Sequence, residues 1–328
     1  MKLIEAKVEQ IEQQYTPGNL LNDMYKHIER CGRVCYKSGD KITDKSAWPF
    51  VQRMIDSNHG AVLEHGTIYL HLQQDSILSM DNLRMDMYMR YKENKFSVAR
   101  MVGTLAEGNE NLYVTTNFRV IIENGWLDDL RFICAPTEFH EKRYTFWFTT
   151  DMGVAKGFNR HRVHSIAEES TRYCNYAKDK FGNEVLFIYL PWCNTDDAVE
   201  PEHTPVEGDM ILPYDTSKWN AIDWWLWGIS CCEEAYMRMI SLGWTPQQAR
   251  AVLPQNTKAE TVHTAFASDW KHFIDLRSIG TTGAPHPQTK QLGDEIKKWY
   301  DENDIEEERN AWKHLTPPNG WEDNSPRI

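Results

Sequence analysis

Runs that alternate polar and apolar residues at about 2–10, 66–72, 112–122 and 143–149 constrain this chain more than any other feature. A period of two is the mark of a half-buried strand. The run Asn111-Leu112-Tyr113-Val114-Thr115-Thr116-Asn117-Phe118-Arg119-Val120-Ile121-Ile122 is rich in β-formers, and Asn124-Gly125 closes it with a turn signal. Helical spacing takes over at about 19–35, 46–58 and 76–93; the second of these carries Phe50, Val51, Met54 and Ile55 on one side and ends at Asn58-His59-Gly60. A long helix is predicted over about 217–242, ending at Gly243, a residue that tolerates a left-handed C-cap. Its Trp219, Trp224, Trp225 and Trp227 read as core and interface filling. Thr245-Pro246-Gln247-Gln248 forms a capping box whose short helix must stop near Pro254. Val262 to Ala267 then reads as a strand, with Ser268 capping a helix through Arg277.

These elements predict an α+β fold, with a mixed or mainly antiparallel sheet flanked by helices. No repeat and no flexible linker divides the chain, so one elaborated domain over 1–328 is expected, with a loose polar tail from about 301.

A formal net charge of -12 argues against a general nucleic-acid binder, which needs a basic face to displace phosphate counterions. Arginines that cluster in so acidic a chain therefore stand out. Met1-Lys2-Leu3-Ile4-Glu5 runs at once into a strand with no secretory leader, and the most apolar window, Trp224 to Cys232, is too short to span a bilayer. Seven cysteines without framework spacing, two of them adjacent at Cys231-Cys232, suit reduced thiols and a cytoplasmic protein.

The arginines gather in Arg160-His161-Arg162-Val163-His164-Ser165-Ile166-Ala167-Glu168-Glu169-Ser170-Thr171-Arg172-Tyr173. Its first part suits a helix terminus, while Glu168, Ser170 and Arg172 alternate, which puts them on one side of an extended segment. A carboxylate, a hydroxyl and a guanidinium facing one way suit a polar, anionic small molecule. A solvated face with scattered ion pairs suits the same composition equally well. His59, His65 and His71 are spaced by six, share no helical face and lack a completing ligand, so no metal is predicted. The lone Pro191-Trp192-Cys193 reads as an incidental thiol rather than a nucleophile.

Arg160-His161-Arg162, seven residues and Ser170 resemble the R-H-R-x7-S signature of flavin-dependent thymidylate synthases. The longer pattern R-H-R-x-x-S-x-N-E-x-S-x-R-Y is matched throughout except at Ala167, where the family has Asn. Ala249-Arg250-Ala251-Val252-Leu253-Pro254 is similar to the family's A-R-x-V-L-P segment, and Trp270 to Arg277 to the helix that ends in its active-site arginine. His59-Gly60-Ala61-Val62-Leu63-Glu64-His65 resembles the H-x-x-x-x-E-H segment.

The resemblance implies reductive methylation of dUMP to dTMP, with 5,10-methylenetetrahydrofolate as carbon donor and FAD reduced by NADPH. It implies FAD contacts for Arg160, His161, Arg162, Glu168, His272, His59 and Glu64, and dUMP contacts for Arg160, Glu168, Ser170, Arg172, Arg250 and Arg277. Arg250 would grip the phosphate, Arg277 would act catalytically against the uracil ring, and His286 would be a further pocket residue. A homotetramer with shared sites is implied as well, as is a fold like that family's. Four features depart from the pattern: Gly157 in place of Gln, Ala61 in place of a hydroxyl residue, Phe266-Ala267-Ser268 in place of Asn-x-Arg, and an insertion at about 73–142. The competing readings are a pocket that binds nucleotide or flavin without turnover, and a protein that uses these arginines on nucleic acid.

Overall fold

The computed structural model describes residues 1–73, 78–104, 110–199 and 216–307. In chain order the strands are β1 (Lys2–Ile4), β2 (Lys7–Gln10), β3 (Thr67–Leu72), β4 (Val98–Val102), β5 (Asn111–Asn117), β6 (Ile133–Cys134), β7 (Arg143–Asp151), β8 (Ser165–Glu168), β9 (Leu186–Ile188) and β10 (Lys258–Phe266). The helices are α1 (Leu20–Gly32), α2 (Ala47–Asp56), α3 (Gly60–Leu63), α4 (Leu78–Glu93), α5 (Phe118–Asn124), α6 (Met152–Phe158), α7 (Ala221–Ser241), α8 (Pro246–Ala249), α9 (Ala267–Ile274) and α10 (Pro287–Glu302).

The strands form three sheets, so the predicted α+β class holds with the strands distributed more widely than one sheet. An antiparallel sheet runs β2-β7-β10-β8, a second runs β4-β5-β3-β6, and β1 pairs with β9 in parallel. Residues of the predicted insertion supply three of the second sheet's four strands, which pair directly or through β5 with β3. One core packs Phe146, Phe148, Phe158, Trp270 and Phe273 between the first sheet and α9. Another packs Ile68, Leu70, Val114 and Phe118 against α1, α2 and α4. The rings of the first core meet edge-on or tilted, and aromatic side chains of this size dominate core energetics.

A polar seam joins the two sheets. His27 Nε2 lies 3.0 Å from Thr145 Oγ1, Thr145 bonds Thr264 at 2.7 Å, and His65 Nδ1 reaches Thr264 at 2.8 Å. Arg143 carries it across to β3, donating to Thr67 Oγ1 at 3.2 Å, to the Glu64 carbonyl at 3.1 Å and to Ser165 Oγ at 3.0 Å. Buried polar groups need such partners, so the seam fixes how the sheets meet.

Several expectations need correction. The strand near 112–122 stops at Asn117, whose side chain accepts from Val120 N at 3.1 Å and starts α5. Phe118, Val120 and Ile121 are buried at helical spacing there, and the Asn cap prevails over their β propensity. The stretch 2–10 is two strands that pair in different sheets. The long helix begins at Ala221, where Asn220 and Asp223 form a capping box, and Trp224 is exposed. Ser268 is not a cap: α9 starts at Ala267, and the Ser268 hydroxyl donates to Glu141 at 2.5 Å instead. Gln248 does accept from Thr245 N at 2.9 Å, which is the return half of the predicted capping box. His71 bonds Asn111 and stacks on Tyr113, well apart from the partners of His65. Most of the predicted tail, from 308 onward, lies outside the described residues. Among the described residues no helix is long and apolar enough to cross a membrane.

Candidate active site

Strand β8 ends at Glu168, and the chain then turns through Ser170 to Cys174, where the amides of Tyr173 and Cys174 donate to the Ser170 carbonyl at 3.1 and 3.0 Å. Ser170 N donates in turn to the Cys35 carbonyl at 3.0 Å, which ties the turn to the end of the first helical region. The turn forms one wall of a cavity of about 340 Å³. Glu168, Ser170 and Thr171 line it, faced by Lys156 of α6 and by Arg250. Arg250 Nη1 donates to Thr171 Oγ1 at 3.2 Å, and Asn159 Nδ2 donates to Glu168 Oε2 at 2.7 Å. Two cations at the mouth and a fixed carboxylate inside suit an anionic ligand that also carries hydrogen-bonding groups.

Arg172 does not share this wall. Its Nε donates to Gln247 at 3.1 Å and its guanidinium lies over Tyr173, because the backbone turns after Glu168 and breaks the alternation that would align the three side chains.

The floor of the cavity holds charges that sequence reading missed. Lys258 Nζ donates to Glu169 at 2.6 Å and to Glu260 Oε1 at 2.8 Å, and Lys37 pairs with that same Glu260 oxygen. Tyr176 donates its hydroxyl to Glu169 at 3.3 Å. Lys258, Glu169 and Glu260 are all buried, and the neighbouring lysines hold the Glu260 carboxyl below its ordinary range despite burial. The available signal was β10 itself, a nine-residue strand buried along its whole length yet carrying Lys258, Glu260 and His263. Charged residues almost never bury without a partner, so they marked a network.

A second cluster lies at the far end of α6. The helix α9 continues into a π-helical turn, Asp275–Ile279, which carries Arg277. Such turns are rare and recur at functional sites. Gly293 of α10 permits it, since a Cβ there would lie 2.8 Å from the Arg277 carbonyl. Arg277 Nη2 donates to the Gly157 carbonyl at 2.7 Å and its Nε donates to His161 Nε2 at 3.0 Å. His161 must therefore be neutral with its proton on Nδ1. Burial pushes its pKa down to about 3, with Arg277 and His272 adding to the effect. Burial likewise lowers Arg277 from its ordinary value, although a guanidinium stays charged.

Arg160 and Arg162 flank His161 on a turn, both exposed, and neither side chain has a hydrogen-bond or ion-pair partner among the described residues. His272 is exposed beside His161, with ring centroids 5.9 Å apart. His59 is the exposed N-cap residue of α3, and Glu64 is its C-cap, with the carboxylate on Arg119 at 2.5 Å. His286 faces Trp192 at 5.4 Å. Thus Glu168, Ser170 and Arg250 share one cavity, His161, His272 and Arg277 form a separate cluster, and α6 with Asn159 links the two groups. His59 and Glu64 stand apart on α3, which packs against β8.

The departing positions have plain environments. Ala167 is buried against Ile11, Cys31, Val34 and Val262, a setting where an Asn side chain would need partners. A side chain added at Gly157 would meet open space, and Ala61 is exposed.

A sequence model of the family described as "thymidylate synthase complementing protein" matches residues 123–300, more than half of the chain. Among curated relatives, the flavin-dependent thymidylate synthase of Thermosipho melanesiensis is 28% identical over 142 residues, which is 43% of this chain and 57% of that protein. That of Thermosipho africanus is 27% identical over the same shares. The chain thus matches little more than half the length of these relatives. The crystal structure of the UMP/dUMP methylase PolB from Streptomyces cacaoi, bound with 5-Br dUMP, is 15% identical, with 97% of this chain and 100% of that one covered at a TM-score of 0.41. That score is too low to carry a structural argument. The family match spans both clusters, from α6 and the arginine turn through the cavity wall to Arg277, and the chain belongs to the thymidylate synthase complementing protein family.

Proposed function

We propose that this chain, acting as one domain of a cytoplasmic homotetramer, methylates dUMP to dTMP with FAD, NADPH and 5,10-methylenetetrahydrofolate. The observation that carries the reading is the cavity lined by Glu168, Ser170 and Arg250, linked through α6 to a half-buried guanidinium on a neutral imidazole. A nucleoside monophosphate has the matching parts, namely a dianion, a sugar with hydroxyls and a base edge.

In this reading Arg250 and Lys156 take the phosphate at the mouth of the cavity. Ser170 donates to the nucleotide, and Arg172 swings from Gln247 onto it once bound, an exposed side chain being free to move. Glu168, held by Asn159, accepts from a sugar or base donor. Charge balance gives Arg277 its role. Loss of the N3 proton leaves negative charge on N3 and the ring carbonyls and makes C5 nucleophilic; C5 then bonds the methylene carbon and releases its own proton, and a fixed guanidinium stabilises the charged ring. His161 orients that guanidinium by accepting from Nε and leaves Nη1 for the ring.

The residues present fit FAD. Arg160 and Arg162 offer unpaired guanidinium forks to a pyrophosphate, and His161 with His272 offers ring surface beside Arg277. When bound, reduced FAD supplies the hydride that converts methylene to methyl, so the folate leaves as tetrahydrofolate. His59 and Glu64 would contact the flavin from α3, and the separation of the FAD candidates in one chain suits sites shared between subunits.

The test is a visible spectrum of freshly purified protein before and after dUMP. A flavin spectrum that changes on adding dUMP supports the reading. Colourless protein that takes up no FAD contradicts it. Tight duplex binding with steep salt dependence would favour the nucleic-acid alternative.

A further inference from the structure

We infer that Arg119, on helix α5, is a positioning residue that aims the Glu64 carboxylate at the cofactor; the inference rests on the functional reading above. Nothing in the signature segments points to Arg119. It lies on α5, directly after the strand β5 that pairs with β3.

The backbone of Glu64 is already fixed from behind. Its carbonyl accepts from Arg143 Nη1 at 3.1 Å, and Arg143 Nη2 holds Ser165 Oγ at 3.0 Å, so α3 is anchored to the start of β8. What remains free is the side chain, a flexible carboxylate whose ordering costs rotamer entropy. Arg119 constrains it. Its Nη1 donates to Glu64 Oε1 at 2.5 Å while its Nε donates to Glu123 Oε1 at 2.7 Å, one turn further along α5. The guanidinium is thus clamped between two carboxylates, and a planar fork does this where an ammonium cannot.

The sequence makes room for the contact. A Cβ at Gly60 would lie 2.8 Å from Arg119 Nε, so only glycine at the start of α3 lets the arginine pass over the helix. The amide of Phe118 donates to the Gly66 carbonyl at 2.9 Å, which ties the start of α5 to the segment that follows Glu64. β5 and α5 therefore brace α3 from outside.

Flavin titration of the apoprotein by fluorescence, with hydrogen exchange of residues 60–64 in its flavin-free form, tests this. Arg119→Gln and Glu64→Gln should each weaken FAD binding about tenfold, and the double variant should be no weaker than Glu64→Gln alone, because coupled groups are not additive. Arg119→Lys should recover part of the loss, and exchange at 60–64 should quicken in Arg119→Gln. If Glu64→Gln weakens FAD binding while Arg119→Gln stays within twofold of wild type, the inference is overturned and the functional reading stands. If the wild-type protein binds no FAD, both fall together.

Discussion

Arg277 donates its Nε–H to His161 Nε2 across 3.0 Å, and both side chains come from segments that the π-helical turn and the end of α6 bring together. The pairing sets a direction: His161 is the acceptor, and the guanidinium keeps its charge and a free amino group. Arg277→Ala should lower kcat by about a hundredfold or more, as expected when about 3 kcal/mol of transition-state stabilisation is lost. Its effect on the dUMP KM should be small. Rapid-quench kinetics would check the split, and a rise in KM with kcat intact would show that Arg277 serves binding alone.

The Arg250 side chain is exposed and makes one hydrogen bond among the described residues, to Thr171, so its removal should spare the fold. Arg250→Ala should raise the Kd for dUMP by 10- to 100-fold, the ~1.5–3 kcal/mol of a charge-assisted hydrogen bond, with an unchanged melting temperature. Affinity for deoxyuridine, which lacks the phosphate, should not change. Calorimetric titrations of the two ligands make the comparison.

The pair Lys258–Glu169 behaves differently because both groups are buried. Lys258→Met leaves Glu169 without its main partner and should cost about 3–5 kcal/mol in urea unfolding. The double variant Lys258→Met with Glu169→Leu should regain at least half, since no unpaired charge remains on that side. A double variant less stable than Lys258→Met would show that the pair does more than neutralise itself.

Much of the scaffold was legible in the sequence. Period-two runs located β3 and β7, and helical spacing located α1, α2 and α4. The signature turn and Arg250 were legible because polar residues at fixed spacing outlast changes in their surroundings. Other parts depended on contacts distant in sequence. Asn117 stops a strand that Phe118 to Ile122 would extend on propensity alone. The turn after Glu168 removes Arg172 from the cavity wall, and the pairings of Glu169 N with the Glu260 carbonyl and of Ser170 N with the Cys35 carbonyl, both distant in sequence, help to hold it. Lys37 meets Glu260 across 223 residues, a separation no local pattern encodes.

Acid should destabilise the fold through its histidines. Burial pushes His27, His161 and His263 down to about 3 and His140 to about 4, and depresses His65 and His164 as well. The unfolded chain takes up protons near pH 6.5, the folded one only near 3 or 4, so unfolding gains protons in between. This stability is fully present above about pH 6.5 and is lost as pH falls from there toward 3. Melting temperatures should be flat from pH 8 to 7 and drop steadily from 6.5 to 5. A melting temperature that rises over that interval would contradict the neutral assignment.

The most direct measurement is a single-turnover reaction of flavin-loaded protein with dUMP, NADPH and 5,10-methylenetetrahydrofolate, with products separated and weighed against active sites. The expected products are dTMP and tetrahydrofolate in equal amounts, abolished or slowed at least a hundredfold by Arg277→Ala. Flavin that is reduced and reoxidised in the presence of both substrates, with no dTMP formed, would contradict it.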